Sequence, residues 1–238
     1  MSTVIGKLTK SFQKSDLILI AGRPSIGKTA LALDISECVL SQNNKSIMYF
    51  SLEMSEKQLI NRIIQRTNSD YSTPEGIREQ SRFIIDDSVG ISVEAVRQRC
   101  RKQMQDGGID LIIIDYLQLI SSEDNRQNIG RIKEVEYISS TLKQIAQEVD
   151  VPVIIISQLS KKVEERPDKH PLLSDLRESG IIEKYADTVM FIYRDGYYHL
   201  DKEKKDAAEL IIAKQKSGNP GIIKLKWDAE KVRFTDFE

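Results

Sequence analysis

The sequence has no large net charge of either sign. Its 238 residues include 35 Lys and Arg against 36 Asp and Glu, which gives a formal net charge of −1. This balance excludes a basic field over the whole surface, the feature by which many proteins attract nucleic acid without a dedicated site. A single basic loop or channel is compatible with it, so binding of DNA at a local site is not excluded.

Cysteine, histidine and long apolar runs are also scarce. Cys38 and Cys100 lie in stretches predicted to be helical, which indicates packed thiols in a reducing compartment. His170 and His199 are isolated, and no Cys/His spacing typical of zinc sites occurs. No apolar run reaches the ~18 residues of a membrane span, and the N-terminus lacks a secretory signal. We expect a soluble cytoplasmic protein with no membrane partner.

The most informative stretch is GRPSIGKT, which matches G-x-x-x-x-G-K-[ST] at every fixed position. A short apolar run precedes it and a helical pattern follows it. Gly22 and Gly27 allow the backbone to approach a ligand closely, and the N–H groups of the loop point at a polyphosphate. Lys28 can reach the β- and γ-phosphates, and the Thr29 hydroxyl can ligate Mg²⁺. The predicted nucleotide-binding residues are Gly22, Arg23, Pro24, Ser25, Ile26, Gly27, Lys28, Thr29 and Ala30.

Strand-like and helical runs alternate along the chain, which predicts an α/β fold with a mostly parallel sheet and helices on both faces. Several strand-like runs are apolar without alternation, as in LIIID and PVIIIS, and this is typical of central parallel strands. The run from Ile222 to Trp227 begins to alternate, so we expect antiparallel edge strands at the C-terminal end. The predicted strands are 17–21, 46–51, 83–86, 111–115, 152–157, 188–193, 209–214 and 221–227.

Helix signals lie between the strands. Ser55 and Gln58 have the spacing of a capping box and open a predicted helix at 55–67. Ser92 caps a second at 92–106, and apolar residues at three- and four-residue steps predict a third at 131–149. Residues 1–16 are polar and lack a pattern, so we interpret them as the remnant of a linker before one domain at 17–238. The polar stretches Thr67–Glu79 and Ser121–Gly130 are predicted to be mobile.

Polar residues at strand ends predict the rest of the site. Ligands bind beyond the carboxyl ends of parallel strands, so Glu53, Asp115 and Gln158 are expected near the phosphate loop. Asp115 ends LIIID and is a candidate to hold Mg²⁺. Glu53 either polarises the water that attacks the γ-phosphate or is an ordinary charge before the helix at 55–67. Gln158 either senses the γ-phosphate or is a simple polar strand end.

These motifs resemble the ATPase domain of hexameric replicative DNA helicases of the DnaB type, which has a RecA-like fold. The similar segments occur in the same order over nearly the whole chain. They are RPSIGKT at 23–29, SLEMS at 51–55, IDYLQL at 114–119, VPVIIISQLSK at 151–161, RPDKHPLLSDLRESGIIEKYAD at 166–187, FIYRD at 191–195 and IIAKQKSGNPG at 211–221.

The resemblance implies roles that spacing does not assign. It implies that ATP and Mg²⁺ are the cofactors, that Glu53 is the catalytic glutamate, and that Asp115 is the magnesium aspartate. Gln158 would link nucleotide state to DNA. The segment SDLRESG resembles a loop that lines the hexamer's pore, and the residues it implies for contact with single-stranded DNA are Arg177, Glu178 and Gly180.

The resemblance also implies catalysis across subunits of a homo-hexamer. In the family a KQR run sends a lysine and an arginine finger into the neighbouring site, whereas this chain has Lys214-Gln215-Lys216. Lysine offers a point charge where arginine offers a planar fork, so Lys216 either acts less well or is replaced by a cation from elsewhere. The family's N-terminal helical domain is not found in the sequence, and the region between Arg62 and Phe83 is shorter than usual. A truncated chain would be a monomer that retains its nucleotide pocket.

The predicted function is the motor domain of an ATP-dependent replicative DNA helicase, with a helicase loader and a primase as further partners. One alternative is a RecA-type recombinase, which would form filaments instead of rings. Another is a loader or scaffold that binds ATP with weak hydrolysis, which the lysine at 216 favours.

Overall fold

The computed structural model describes residues 3–42, 44–66, 82–122, 130–176, 178–198 and 205–237, without the side chains of Glu178 and Ser179. Within these residues a nine-stranded sheet has the strand order β3-β2-β4-β5-β1-β6-β7-β8-β9. The strands are β1 Leu17–Gly22, β2 Ile47–Ser51, β3 Phe83–Asp86, β4 Leu111–Asp115, β5 Val153–Gln158, β6 Thr188–Arg194, β7 Ala207–Gln215, β8 Gly221–Asp228 and β9 Arg233–Asp236.

The sheet has a parallel and an antiparallel part. From β3 across to β6, neighbouring strands run parallel, and from β6 to β9 they run antiparallel. β1, β2, β4 and β5 are apolar on both faces and almost wholly buried, whereas β8 alternates between exposed and buried positions. The structure therefore confirms the predicted sheet and its antiparallel C-terminal edge.

Helices cover both faces of the sheet. They are α1 Val4–Ser11, α2 Lys28–Leu40, α3 Glu56–Arg66, α4 Val93–Asp106, α5 Arg131–Val149, α6 Ile182–Tyr185 and α7 Asp195–Tyr198. Leu17 and Leu19 face a core built with α4 and α5, while Ile18 and Ile20 face a second core that contains α1, α2 and β9. Successive strand residues point to opposite faces, so one apolar strand fills both cores.

The sequence signals for the longer helices hold in detail. The Ser55 N–H donates to Gln58 Oε1 at 2.9 Å, and the Gln58 N–H donates to Ser55 Oγ at 3.4 Å, so the capping box before α3 is present. Ser92 Oγ accepts from the Ala95 N–H at 3.1 Å at the start of α4. α5 has the predicted bounds, but Ile132, the first of the apolar residues at three- and four-residue steps, is 65% exposed and does not join the buried face.

The first helix and the last strand were not predicted. α1 has only two fully apolar buried anchors, Ile5 and Leu8, and its N-terminus is capped by the Thr3 hydroxyl. β9 is four residues long and follows a turn, so it offers little periodicity. The interpretation of residues 1–16 as a linker remnant stays a prediction. The stretches predicted to be mobile lie largely outside the described residues.

No described helix combines the length and the apolar character that a bilayer span requires.

Candidate nucleotide-binding site

The segment from Gly22 to Thr29 forms a tight turn between β1 and α2. Gly27 has φ +114°, and a Cβ atom there would lie 2.8 Å from Phe234 Cζ. A Cβ atom on Gly22 would lie 2.7 Å from Ile26 Cγ2. Both glycines are therefore required by the conformation of this loop. Pro24 and Ser25 are exposed at its tip.

The Lys28 ammonium group lies inside the loop. Its Nζ donates to the carbonyl oxygen of Arg23 at 2.9 Å, and the residue is only 8% exposed. Burial lowers the pKa of Lys28 to about 8, against the opposing effect of the Asp115 and Glu53 carboxylates. The two carboxylates are thus close enough to act on the lysine, as expected for residues at the carboxyl edge of the sheet.

Thr29 and Asp115 meet directly. The Thr29 hydroxyl donates to Asp115 Oδ2 at 2.6 Å, and the hydroxyl of Tyr49 donates to the same oxygen at 3.1 Å. Burial raises the pKa of Asp115, and the two hydroxyl donors oppose that rise. Burial also raises the pKa of Tyr49 well above its ordinary value, with the charge of Asp115 acting in the same direction, so the phenol stays protonated as a donor.

Glu53 and Gln158 flank this cluster. Glu53 is exposed in the turn between β2 and α3, and its charge acts on Lys28, Asp115 and Tyr116. Gln158 ends β5 in register with Gly22 of β1, and its side chain lies near Tyr116, where it opposes the rise that burial causes in the pKa of that phenol. The structure therefore brings both residues to the loop edge.

Arg23 ties the phosphate loop to the segment that follows β5. Its Nε donates to Glu164 Oε1 at 2.7 Å, and its Nη1 donates to the Leu159 carbonyl at 2.9 Å. The Leu159 N–H in turn donates to the Gly22 carbonyl at 3.2 Å. Since the Arg23 side chain is committed to these partners, its contribution to a ligand would come from the backbone. The same holds for Ile26 and Ala30, whose side chains are buried in the core.

The antiparallel strands support the loop from behind, which sequence reasoning missed. Arg194 lies over the Trp227 ring, 4.0 Å from guanidinium carbon to centroid, and its Nη1 donates to the Ile26 carbonyl at 3.4 Å. The Trp227 and Phe234 rings pack 4.9 Å apart beneath Gly27. The FIYRD motif contains Arg194, but the motif alone does not show that this guanidinium packs on Trp227 and donates to the phosphate loop.

A buried ion-pair cluster braces α2. Arg66 is fully buried at the end of α3, where it pairs with Asp34 and, at 3.1 Å, with Glu37. Asp34 Oδ2 also accepts from the Phe234 N–H at 2.9 Å, so the cluster joins α2, α3 and β9. Removing one member of such a buried pair costs about 3–5 kcal/mol, because the other charge is left uncompensated.

Lys214 and Lys216 lie at the opposite end of the sheet. Gln215 pairs with Thr188 at the start of β6, and Thr188 pairs with Ile18 near the start of β1. β1 has six residues, so its two ends are roughly 17 Å apart. The Lys214 Nζ donates to the Glu183 carbonyl at 2.6 Å, and the Lys216 Nζ is 3.5 Å from Asp187 Oδ1. Neither lysine reaches the phosphate loop of its own chain.

The residues predicted to contact DNA are only partly within the described structure. Arg177 and the side chain of Glu178 lie outside it. Gly180 lies in a short 3-10 segment, Glu178–Ile181, and no described atom lies within 4 Å of the point where its Cβ would be.

The donor set suits a polyphosphate with a hard divalent cation. Thr29 and Asp115 offer hydroxyl and carboxylate oxygens, which are the ligands that Mg²⁺ prefers. No group of three His, Cys, Asp or Glu side chains able to hold a metal occurs among the described residues. Two protein oxygens with phosphate oxygens and water as further ligands is the usual arrangement for Mg²⁺ at a nucleotide.

Sequence comparisons agree with this geometry. The family model described as the DnaB-like helicase C-terminal domain matches residues 3–236. The replicative DNA helicase DnaB of Geobacillus stearothermophilus is 43% identical over 99% of this chain and 56% of its own length. The replicative DNA helicase DnaC of Bacillus subtilis gives the same identity and coverage. This chain therefore spans about half the length of the curated relatives it matches.

Solved structures agree as well. One solved structure of an ATPase domain is 36% identical with a TM-score of 0.87, covering 95% of this chain and 86% of that one. A DnaB-like replicative helicase, described with its interactions with primase, is 36% identical with a TM-score of 0.86, covering 95% of this chain and 60% of that one.

Proposed function

This chain belongs to the family of DnaB-like helicase C-terminal domains, and on that premise we propose that it is the ATP-hydrolysing motor of a replicative DNA helicase. The observation that carries the proposal is the cluster at the carboxyl edge of the sheet. There Lys28, Thr29 and Asp115 meet beneath a glycine turn whose N–H groups can surround phosphate oxygens.

In the proposed mechanism the backbone of Gly22 to Ala30 binds the triphosphate. Lys28 moves from the Arg23 carbonyl to the β- and γ-phosphates and neutralises the charge that develops during transfer. Thr29 and Asp115 would hold Mg²⁺, which would supply positive charge to stabilise the negative charge of the phosphates. Glu53, exposed beside this cluster, orients and polarises the attacking water.

We propose that the site is completed by a second subunit. Lys214 and Lys216 lie across the sheet from the loop of their own chain, so a role at a γ-phosphate requires the loop of a neighbour. In a closed ring of identical subunits, six in the family, the surface of one subunit that carries Lys214 and Lys216 would lie against the nucleotide of the next subunit. The Lys216 side chain is 75% exposed and is free to leave Asp187 on assembly.

Coupling to DNA would start at the segment after β5. Gln158 lies beside Gly22, and the hydrogen bonds of Leu159 and Arg23 join this segment to the phosphate loop. A shift of the loop on hydrolysis would therefore move residues 159–187, which include Arg177, Glu178 and Gly180. An arginine and backbone N–H groups suit contact with single-stranded DNA phosphates without sequence preference.

A loader and a primase stay proposed partners. Primase interacts with one similar helicase, as described for that protein, and we extend this partner to the present chain as a hypothesis. The cytoplasmic location predicted from the sequence also stays a prediction.

The function is tested by measuring particle mass and ATP turnover with and without a single-stranded oligonucleotide. We expect a ring in the presence of a nonhydrolysable ATP analogue and DNA, and turnover that DNA stimulates. Filaments under these conditions would favour the recombinase alternative, and nucleotide binding without turnover would favour a scaffold.

Lys216→Ala separates action in trans from action within a chain. We expect Lys216→Ala to lower ATP turnover in the ring about tenfold or more and to leave nucleotide binding unchanged. This loss is smaller than the rate enhancement that an arginine finger gives. Lys216→Arg is expected to raise turnover severalfold, since the guanidinium fork matches the phosphate better. Lys224→Ala, at an exposed strand position of the same charge, is the control. Unchanged turnover in Lys216→Ala would remove this lysine from the mechanism.

A further inference from the structure

Tyr49 is a buried tyrosine for which neither the sequence motifs nor the proposed mechanism accounts. It lies in the middle of β2, in a strand that is otherwise apolar up to Ser51, and its exposed fraction is 0%. A phenol in such a position needs a hydrogen-bond partner, because an unpaired buried hydroxyl is costly. The partner here is Asp115 Oδ2, at 3.1 Å from the Tyr49 hydroxyl oxygen.

The sheet register explains why a tyrosine can reach this carboxylate. Tyr49 pairs with Ile113 of β4, and Asp115 lies two residues further along β4 on the same face. Such a diagonal neighbour is within reach of a long aromatic side chain. The Tyr49 ring also packs against Phe83 of β3, with centroids 5.6 Å apart, so the direction of the phenol is fixed from the other side.

Two donors to the Asp115 side chain meet at one oxygen. Thr29 Oγ1 and the Tyr49 hydroxyl donate to Oδ2, and Oδ1 receives neither bond. Two donors on one oxygen fix the rotation of a carboxylate, and the threonine hydroxyl keeps its lone pairs for another ligand. The arrangement thus presents Oδ1 and Thr29 Oγ1 in fixed directions.

We infer that Tyr49 is a positioning residue for the metal-binding carboxylate: its hydroxyl holds Asp115 in the orientation that binds Mg²⁺ with the nucleotide. This inference rests on the proposed function, since it assigns Tyr49 to the same site. Tyr49 acts only through Asp115. Partners that orient metal ligands in this way commonly change metal affinity by about 10–100-fold when removed.

The test compares Tyr49→Phe with the unaltered chain by binding of a fluorescent nonhydrolysable ATP analogue at increasing Mg²⁺ concentration. We expect the Mg²⁺ concentration at half-maximal enhancement of binding to rise about tenfold. Binding in excess EDTA is expected to be unchanged, because Lys28 and the loop backbone are untouched. Tyr49→Leu, which also lacks the hydroxyl, is expected to show the same shift in Mg²⁺ dependence.

Tyr193→Phe is the matched control. Tyr193 is also a buried tyrosine whose hydroxyl donates to a carboxylate, Asp195 Oδ1 at 3.0 Å, and neither residue belongs to the proposed metal site. We expect its Mg²⁺ dependence to equal that of the unaltered chain. A similar shift in Tyr193→Phe, or no shift in Tyr49→Phe, would overturn the inference. Failure of the unaltered chain to bind the analogue with Mg²⁺ would instead overturn the proposed function.

Discussion

The parallel and antiparallel parts of the sheet use their lysines in opposite ways. On the parallel side Lys28 is buried in the phosphate loop and donates to a backbone carbonyl of the same loop. On the antiparallel side Lys216 is largely exposed at the other end of the sheet and has a long contact with Asp187. The Lys28 ammonium group is held by a hydrogen bond inside its own loop, whereas the Lys216 ammonium group has only a long contact on the surface.

This difference teaches which parts of the site one chain can complete. A buried ammonium group must be hydrogen-bonded, so Lys28 requires the surrounding loop and is useful only to its own nucleotide. An exposed lysine keeps most of its hydration and its rotamer freedom, and it can be ordered later by a neighbouring subunit. The antiparallel strands also contact the loop, because Trp227 and Phe234 pack beneath Gly27.

The largest expected effect is at the parallel edge. Glu53→Gln is expected to lower ATP turnover about 10²–10⁴-fold, the usual contribution of a positioned general base, with nucleotide binding retained because glutamine has the same shape. Steady-state ATPase assays and analogue binding measure the two quantities. Glu56→Gln, a half-buried carboxylate in the first turn of α3, is the control and should behave as the unaltered chain. Normal ATP turnover in Glu53→Gln would show that Glu53 is not a catalytic residue and is an ordinary charge before α3.

An intermediate effect on nucleotide affinity is expected at Gly27, where the phosphate loop contacts the antiparallel strands. Gly27→Ala places a Cβ atom 2.8 Å from Phe234 Cζ at a φ of +114°. Strain of this kind costs about 1–3 kcal/mol, so we expect nucleotide affinity to fall roughly 5–150-fold in a titration with the ATP analogue.

Gly108→Ala is the control for a substitution at a positive φ outside the phosphate loop. Gly108 also has a positive φ, +80°, but no described atom lies within 4 Å of its added Cβ. We expect nucleotide affinity to stay unchanged in Gly108→Ala. Gly27→Ala combined with Phe234→Leu should recover part of the lost affinity. Equal affinity in Gly27→Ala and the unaltered chain would show that the aromatic support does not shape the loop.

The smallest effect on nucleotide binding is expected for Asp187, which lies at the end of the sheet opposite the phosphate loop. Asp187 accepts from the Leu17 N–H at 2.8 Å and pairs with Lys143 at 2.5 Å. Burial raises the pKa of Asp187, but these donors outweigh it and leave the pKa below its ordinary value of 3.8. The ionised carboxylate of Asp187 therefore stabilises the folded protein fully at pH values above the ordinary aspartate pKa. This stabilisation is lost as the pH falls through the lowered pKa of the folded state.

Asp187→Asn is expected to lower the free energy of unfolding by about 1–2 kcal/mol at neutral pH, with nucleotide affinity unchanged. The difference in free energy of unfolding between Asp187→Asn and the unaltered chain should become smaller at pH values below the ordinary aspartate pKa. Urea unfolding at neutral and at acid pH measures this free energy. A constant difference across this range would contradict an ionic contribution from Asp187.

Much of the fold was predictable because its signals are local. The apolar runs of β1, β4 and β5, the capping box at Ser55 and the cap at Ser92 each lie within a few residues of sequence. α1 and β9 were missed because each is short and is stabilised by distant contacts. The Val4 N–H donates to Asp236 Oδ1 at 2.8 Å, so the two elements support one another across the whole length of the chain.

The candidate site was predictable to a different degree at each residue. Lys28, Thr29 and Asp115 follow from a motif and a strand end, and the structure brings them together. Tyr49 gave no motif, because its function depends on the register between β2 and β4. The position of Lys216 depends on β7 returning antiparallel to β6, which sets its distance from the loop.

The amino-acid sequence by itself determined that this protein folds as an α/β domain with a phosphate-binding turn, since glycine geometry and apolar runs act over short distances. Only the tertiary structure decided which side chains share an oxygen of Asp115, which rings support Gly27, and which edge carries the exposed lysines. These outcomes depend on strand order and register, and residues far apart in the chain set them jointly through packing.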